Sequence, residues 1–113
     1  MSCLFCSIVE GTIPATLVYQ DDEILAFRDI NPQAPTHVLV IPRVHRATPG
    51  ELSDADEALM GRVIRAAAKV AQQEGVAGSG YRLVINSGTD ANQTVPHIHV
   101  HLLGGRALTW PPG

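Results

Sequence analysis

His97-Ile98-His99-Val100-His101-Leu102-Leu103 sets three histidines in strict alternation with apolar residues. In a β-strand successive side chains point to opposite faces, so residues i, i+2 and i+4 share one. The spacing therefore predicts a strand over 97–103. His97, His99 and His101 line one face, about 6–7 Å apart along it, and Ile98, Val100 and Leu102 face the core. On a helix the same rings would be spread around the axis. Imidazole titrates near neutral pH and serves as nucleophile, general base or metal ligand. A solvent-facing polar stripe is the plain alternative.

The loop before this strand points to phosphate chemistry. Ser87, Gly88, Asn92, Gln93 and Thr94 are small polar residues whose side chains and N–H groups can hold phosphate oxygens without lysines. The chain has no P-loop and no H-E-x-x-H. A neutral imidazole can attack phosphorus and split one displacement into two easier ones. Neighbouring donors would offset charge developing on the phosphoryl oxygens, and repulsion along the row would keep at least one ring neutral. The competing mechanism is a zinc hydrolase with two or three histidines on the metal and an open water position. The lack of an acidic residue in or beside the strand weakens it.

Cys3-Leu4-Phe5-Cys6 is a second cluster. It reads as a zinc half-site, as two inert thiols, or as a redox pair. No strand fits before Cys3, which disfavours the redox pair. A complete zinc site needs two more ligands, and the suitable residues left are distant histidines.

The elements that must position these groups follow from periodicity and breakers. Leu17-Val18-Tyr19 and Ile24–Asp29 read as a hairpin. Asn31–Pro35 is a proline-bounded loop, and His37–Pro42 a buried strand. Ser53 caps a helix of about 20 residues, with Asp54, Asp56 and Glu57 in its first turns and Gly75 closing it. Leu59, Val63, Ala67 and Val70 form its apolar stripe. Tyr81–Asn86 is a fourth strand. Antiparallel strands with one long helix make an α+β architecture in a single domain, residues 1–113. A net charge of −3 argues against nucleic acid and anionic membranes as partners. The first residues lack the pattern of an export signal, so a cytoplasmic location with reduced cysteines is expected.

The segment His97–Leu103 resembles the H-φ-H-φ-H-φ-φ motif of the histidine triad (HIT) superfamily. Phe27–Pro42, Asn86-Ser87-Gly88 and Trp110-Pro111-Pro112-Gly113 are similar to its Hint branch, the histidine triad nucleotide-binding proteins. The resemblance implies a HIT-like sheet of about five strands with one long helix, in a homodimer. It implies hydrolysis of purine nucleoside phosphoramidates, without an organic cofactor. His99 would be the nucleophile that forms a nucleotidyl-imidazole, and His101 would contact the α-phosphate. His97 and His45 would stand behind them. Asn86, Gln93, Thr94 and Val95 would hold phosphate and leaving group. Phe27, Asp29 and Ile30 would form the nucleoside pocket, with Asp29 on the ribose. Trp110 would reach the neighbouring subunit's site. The cysteine pair resembles that of HIT proteins with a structural zinc, which implies Cys3, Cys6, His45 and His97 as ligands. His37 matches no role and is expected to be structural. A nucleotide-binding scaffold and a dinucleoside polyphosphate hydrolase are the alternatives. Thr94 and Pro96 depart from the serine and the aromatic residue common at those positions.

Overall fold

The structure, a computed structural model, describes residues 3–113; Met1 and Ser2, the start of the segment expected to carry no export signal, lie outside them. Five strands form one antiparallel sheet: β1 (Leu17–Gln20), β2 (Ile24–Arg28), β3 (Thr36–Pro42), β4 (Tyr81–Ile85) and β5 (Val100–Gly104), in the order β1-β2-β3-β5-β4. The central strand β3 is buried along its whole length, as its run of apolar residues between prolines predicts.

Each face of the sheet has its own core. One side packs against helix α2 (Glu57–Gln73), whose buried stripe of Leu59, Val63, Ala66, Ala67, Val70 and Ala71 meets Ile24, Ala26, Val38, Val40, Val100 and Leu102. A 3₁₀ turn over Asp54–Asp56 precedes α2, and Asp56 Oδ2 accepts from the Ser53 N–H at 3.0 Å. The regular helix is thus shorter at its start than the sequence suggests. At its end Gly75 has φ 77°, its N–H bonds Gln72 O, and the Val76 N–H bonds Ala71 O. This pair of bonds satisfies the last carbonyls and needs a left-handed residue at Gly75.

The other side carries a helix that the sequence reading missed, α1 (Leu4–Glu10). It is too short for an amphipathic period to register. Cys3 caps it by accepting the Cys6 N–H on Sγ, and Gly11, at φ 82°, closes it. Phe5 is buried among Leu25, Phe27, Leu39 and Ile41.

The histidine segment also departs from expectation. The strand begins at Val100, so of the three histidines only His101 lies in it. The ladder stops at the pair Val40–Val100. Two residues on in β3, Pro42 has no N–H to offer. Its carbonyl bonds the His97 ring, and the Ile98 N–H goes instead to Arg46 O. Burial alternates only within β5; before it His97 and His99 are buried like Ile98 and Val100, because α1 covers the face that the histidines share.

Candidate functional site

On the α1 side of the sheet lies an open cleft of about 640 Å³. Phe27, Leu39, His99 and His101 line it from the sheet side. Leu4, Phe5 and Ile8 of α1, with Ile13 and Pro14, line it opposite, and Asp29, Ile30, Thr94 and Val95 complete the lining. Sequence and resemblance together singled out Phe27, Asp29, Ile30, Thr94, Val95, His99 and His101, and the fold brings these seven to one cleft. The α1 wall escaped notice. Its one signal was Phe5, an aromatic residue between two cysteines.

Hydrogen bonds fix which nitrogen of each ring carries the proton. A carbonyl only accepts, so His99 donates from Nδ1 to His97 O at 2.7 Å. Its Nε2 therefore keeps a free lone pair. Phe5 packs its ring edge-to-face on His99 with centroids 5.1 Å apart, which holds the imidazole plane. The His37 side is equally determined. The Gln33 backbone N–H donates to His37 Nδ1 at 3.0 Å. Neutral His37 must then carry its proton on Nε2, which donates to His101 Nδ1 at 2.9 Å. That leaves His101 with a proton on Nε2. The two neighbouring rings, 4.9 Å apart, so differ in kind: His99 Nε2 is a base and His101 Nε2–H a donor.

Both rings are neutral at pH 7. Burial holds His99 below the usual imidazole range. Burial, then the neighbouring His99 and His37, pushes His101 down to about 4. Desolvation, more than the repulsion anticipated from the sequence, leads in each case. His37, expected to be structural, stands behind the cleft and bonds one of its histidines, His101. The signal was in the register: His37 shares its face of β3 with Leu39, which pairs with His101.

The third triad histidine turns away. His97 donates from Nε2 to Pro42 O at 2.8 Å, so its Nδ1 lone pair is free. That nitrogen lies 3.5 Å from Cys3 Sγ, 3.5 Å from Cys6 Sγ and 3.3 Å from His45 Nδ1, and Cys6 Sγ lies 3.4 Å from His45 Nδ1. Tetrahedral metal–sulfur and metal–nitrogen bonds of about 2.3 and 2.05 Å put two nitrogens about 3.3 Å apart and a sulfur and a nitrogen about 3.6 Å apart. The four side chains fit a closed tetrahedral metal centre. In the metal-free chain, burial and the adjacent Cys3 push the Cys6 thiol up to about 11, so a bound cation is what would keep its sulfur as a thiolate. Asp29, His37 and His101 also cluster, with one donor atom each inside 4.8 Å. They do not fit a metal, because Nε2 of His37 already bears a proton.

Other residues implicated by resemblance lie elsewhere in the chain. Gln93 braces its own loop: its amide donates to Ala47 O and Val95 O and accepts from the Gly88 N–H. Asn86 follows the end of β4. Trp110 is 81% exposed, with the Arg82 guanidinium 6.0 Å from its ring centre. None of the three lines the cleft of this chain.

Comparison with known proteins agrees with this geometry. The HIT domain model matches residues 10–108. A 14 kDa zinc-binding protein of Zea mays is 52% identical over 113 residues, covering 97% of this chain and 87% of that protein. A purine nucleoside phosphoramidase of Escherichia coli K12 is 51% identical over 105 residues, covering 93% and 88%. The crystal structure of a HIT family hydrolase from Legionella pneumophila Philadelphia 1 superposes with a TM-score of 0.97 at 55% identity, covering 99% of this chain and all of that one. The five-stranded antiparallel sheet and the long helix are those of the HIT domain family, to which this chain belongs.

Proposed function

We propose that this protein hydrolyses purine nucleoside phosphoramidates to the nucleoside monophosphate and a free amine. The observation that carries the reading is the pair of opposed tautomers at the cleft: a bare Nε2 on His99 beside an N–H on His101. In the first step His99 Nε2 attacks phosphorus and the P–N bond breaks. The nitrogen leaves with the bond's electron pair, takes up a proton from water in the open cleft and departs as an amine, and the attacking water of the second step gives a proton back to solvent. The nucleotide is then bonded to His99. Its developing positive charge is relieved through Nδ1–H on the His97 carbonyl, while the His101 N–H steadies the phosphoryl oxygens. In the second step water attacks phosphorus, the P–Nε2 bond breaks, and the monophosphate is released with the ring neutral again. The Thr94 hydroxyl, at the cleft, is suited to the leaving group. A cleft of about 640 Å³ is within the range of small-molecule sites, and its apolar α1 wall suits a purine.

The metal of the Cys3, Cys6, His45 and His97 centre is zinc on this reading, since two thiolates and two imidazoles in a tetrahedron are its characteristic donors. All four positions belong to the protein, so the ion supplies a cross-link and no reactive centre. The same reading extends to a homodimer: β4 is an edge strand, and Ile85 and Trp110 stand 40% and 81% exposed near it, an apolar surface suited to a second copy.

The deciding assay is release of AMP from an adenosine phosphoramidate by wild type and by His99→Ala. Turnover by wild type, reduced at least about a thousandfold in the variant while AMP still binds, supports the reading. A folded wild type that binds AMP and turns nothing over returns the protein to the class of nucleotide-binding modules.

A further inference from the structure

The metal centre and the cleft share one short helix. Cys3, at the cap of α1, and Cys6, inside it, reach His45 and His97, whereas Leu4, Phe5 and Ile8 line the cleft. Among the described residues, every hydrogen-bonding contact from residues 3–10 to the chain beyond residue 13 runs through the sulfur of Cys3 or Cys6. The remaining attachment is apolar packing, chiefly Phe5 against the rings of Phe27 and His99 at 5.3 and 5.1 Å. A seven-residue helix has little stability of its own in water. Meanwhile the core between the sheet and α2 contains no α1 residue. Loss of the cross-link therefore frees one wall of the cleft and leaves the α2 side of the sheet standing.

We propose that occupation of the Cys3/Cys6/His45/His97 centre sets the cleft's affinity for a purine mononucleotide, by holding α1 against the base. The inference rests on the nucleotide reading above and adds a control to it. The coupling is reciprocal: a nucleotide seated against Phe5 restrains α1 and tightens the metal by the same factor.

The test compares zinc-loaded protein with protein stripped by a chelator under reducing conditions, and with the double variant Cys3→Ser, Cys6→Ser. AMP affinity is read by calorimetry, and amide hydrogen exchange reports on the fold. The expected result is AMP binding weaker by about ten- to a hundredfold in both metal-free forms, with protection lost in residues 3–16 and kept in α2 and β3. Zinc competition against a chelator should show the matching gain when AMP is saturating. Equal AMP affinity with and without zinc overturns the proposal. So does failure to take up zinc, and so does global unfolding of both metal-free forms, which would make the ion a general prop. AMP binding by no form at all sinks the nucleotide reading, and this control with it.

Discussion

Replacing His37 by Phe keeps a flat ring in a buried position, 6% exposed, and removes both of its nitrogens. Two hydrogen bonds disappear: that from the Gln33 N–H at 3.0 Å and that to His101 Nδ1 at 2.9 Å. Gln33 is exposed, so its freed N–H takes up water. His101 Nδ1 is left without a donor, and a buried polar atom stripped of its partner costs about 1–2 kcal/mol. With about 2.1 cal/mol/K of unfolding entropy per residue, that lowers Tm by about 4–8 °C in a chain of this length. The effect on rate has a different origin. Without His37, His101 is free to carry its proton on Nδ1, where the Asp29 carboxylate within 4.8 Å attracts it. The substitution also frees Asp29 from its 3.5 Å contact with His37 Nε2; once its carboxylate swings to hydrogen-bond distance of His101, the bond is worth about 1.5–3 kcal/mol, a bias of about ten- to a hundredfold towards that tautomer. Nε2 would then present a lone pair to a phosphoryl oxygen. We expect kcat for AMP release to fall by about ten- to a hundredfold, and the ¹⁵N spectrum of His101 to change from the ε- to the δ-protonated form. A folded His37→Phe with unchanged kcat, or with His101 still protonated on Nε2, refutes the reasoning.

Acid should destabilise the protein through the same rings. Burial depresses His37 and His101 below the ordinary imidazole value, His101 to about 4, so stability is full above pH about 6.5 and lost as pH falls towards 4. After allowance for partial exposure, His101 alone contributes about 2 kcal/mol of this slope. Urea denaturation against pH should therefore be flatter in His101→Asn than in wild type, and equal slopes would contradict it. Ile24→Ala, in the core under α2, should cost about 2–5 kcal/mol in chemical denaturation and leave kcat per folded molecule unchanged. A large fall in that kcat would show that the two faces of the sheet are not independent.

The elements with a strong period were legible in the sequence. The alternation from Val100 onward, the apolar run of β3 and the stripe of α2 each announce their structure, because burial on one face or two leaves a mark at a fixed spacing. What escaped depended on partners distant in sequence. His97 and His99 have the same spacing as His101, yet the ladder stops at Val100, where Pro42 and Arg46 draw the backbone away, and the ring of His97 turns to the cysteines. His37 looked like any polar residue opening a strand until β5 was laid beside it. The protonation states were beyond any pattern, since they hang on single main-chain groups, the Gln33 N–H and the His97 carbonyl. The HIT resemblance supplied Phe27, Asp29 and Ile30, which no periodicity would have singled out.

His97 faces the cysteine–histidine cluster by its ring and the proposed nucleophile by its carbonyl, and this divides what mutagenesis can see. Every substitution at position 97 deletes the ring and retains the carbonyl. An alanine scan would thus record a loss at His97 and credit it to the imidazole of a catalytic triad. The group that steadies the His99 tautomer is an amide oxygen that no codon change removes. Only backbone chemistry, such as an ester in place of the peptide link between His97 and Ile98, would weaken that oxygen as an acceptor without touching the ring.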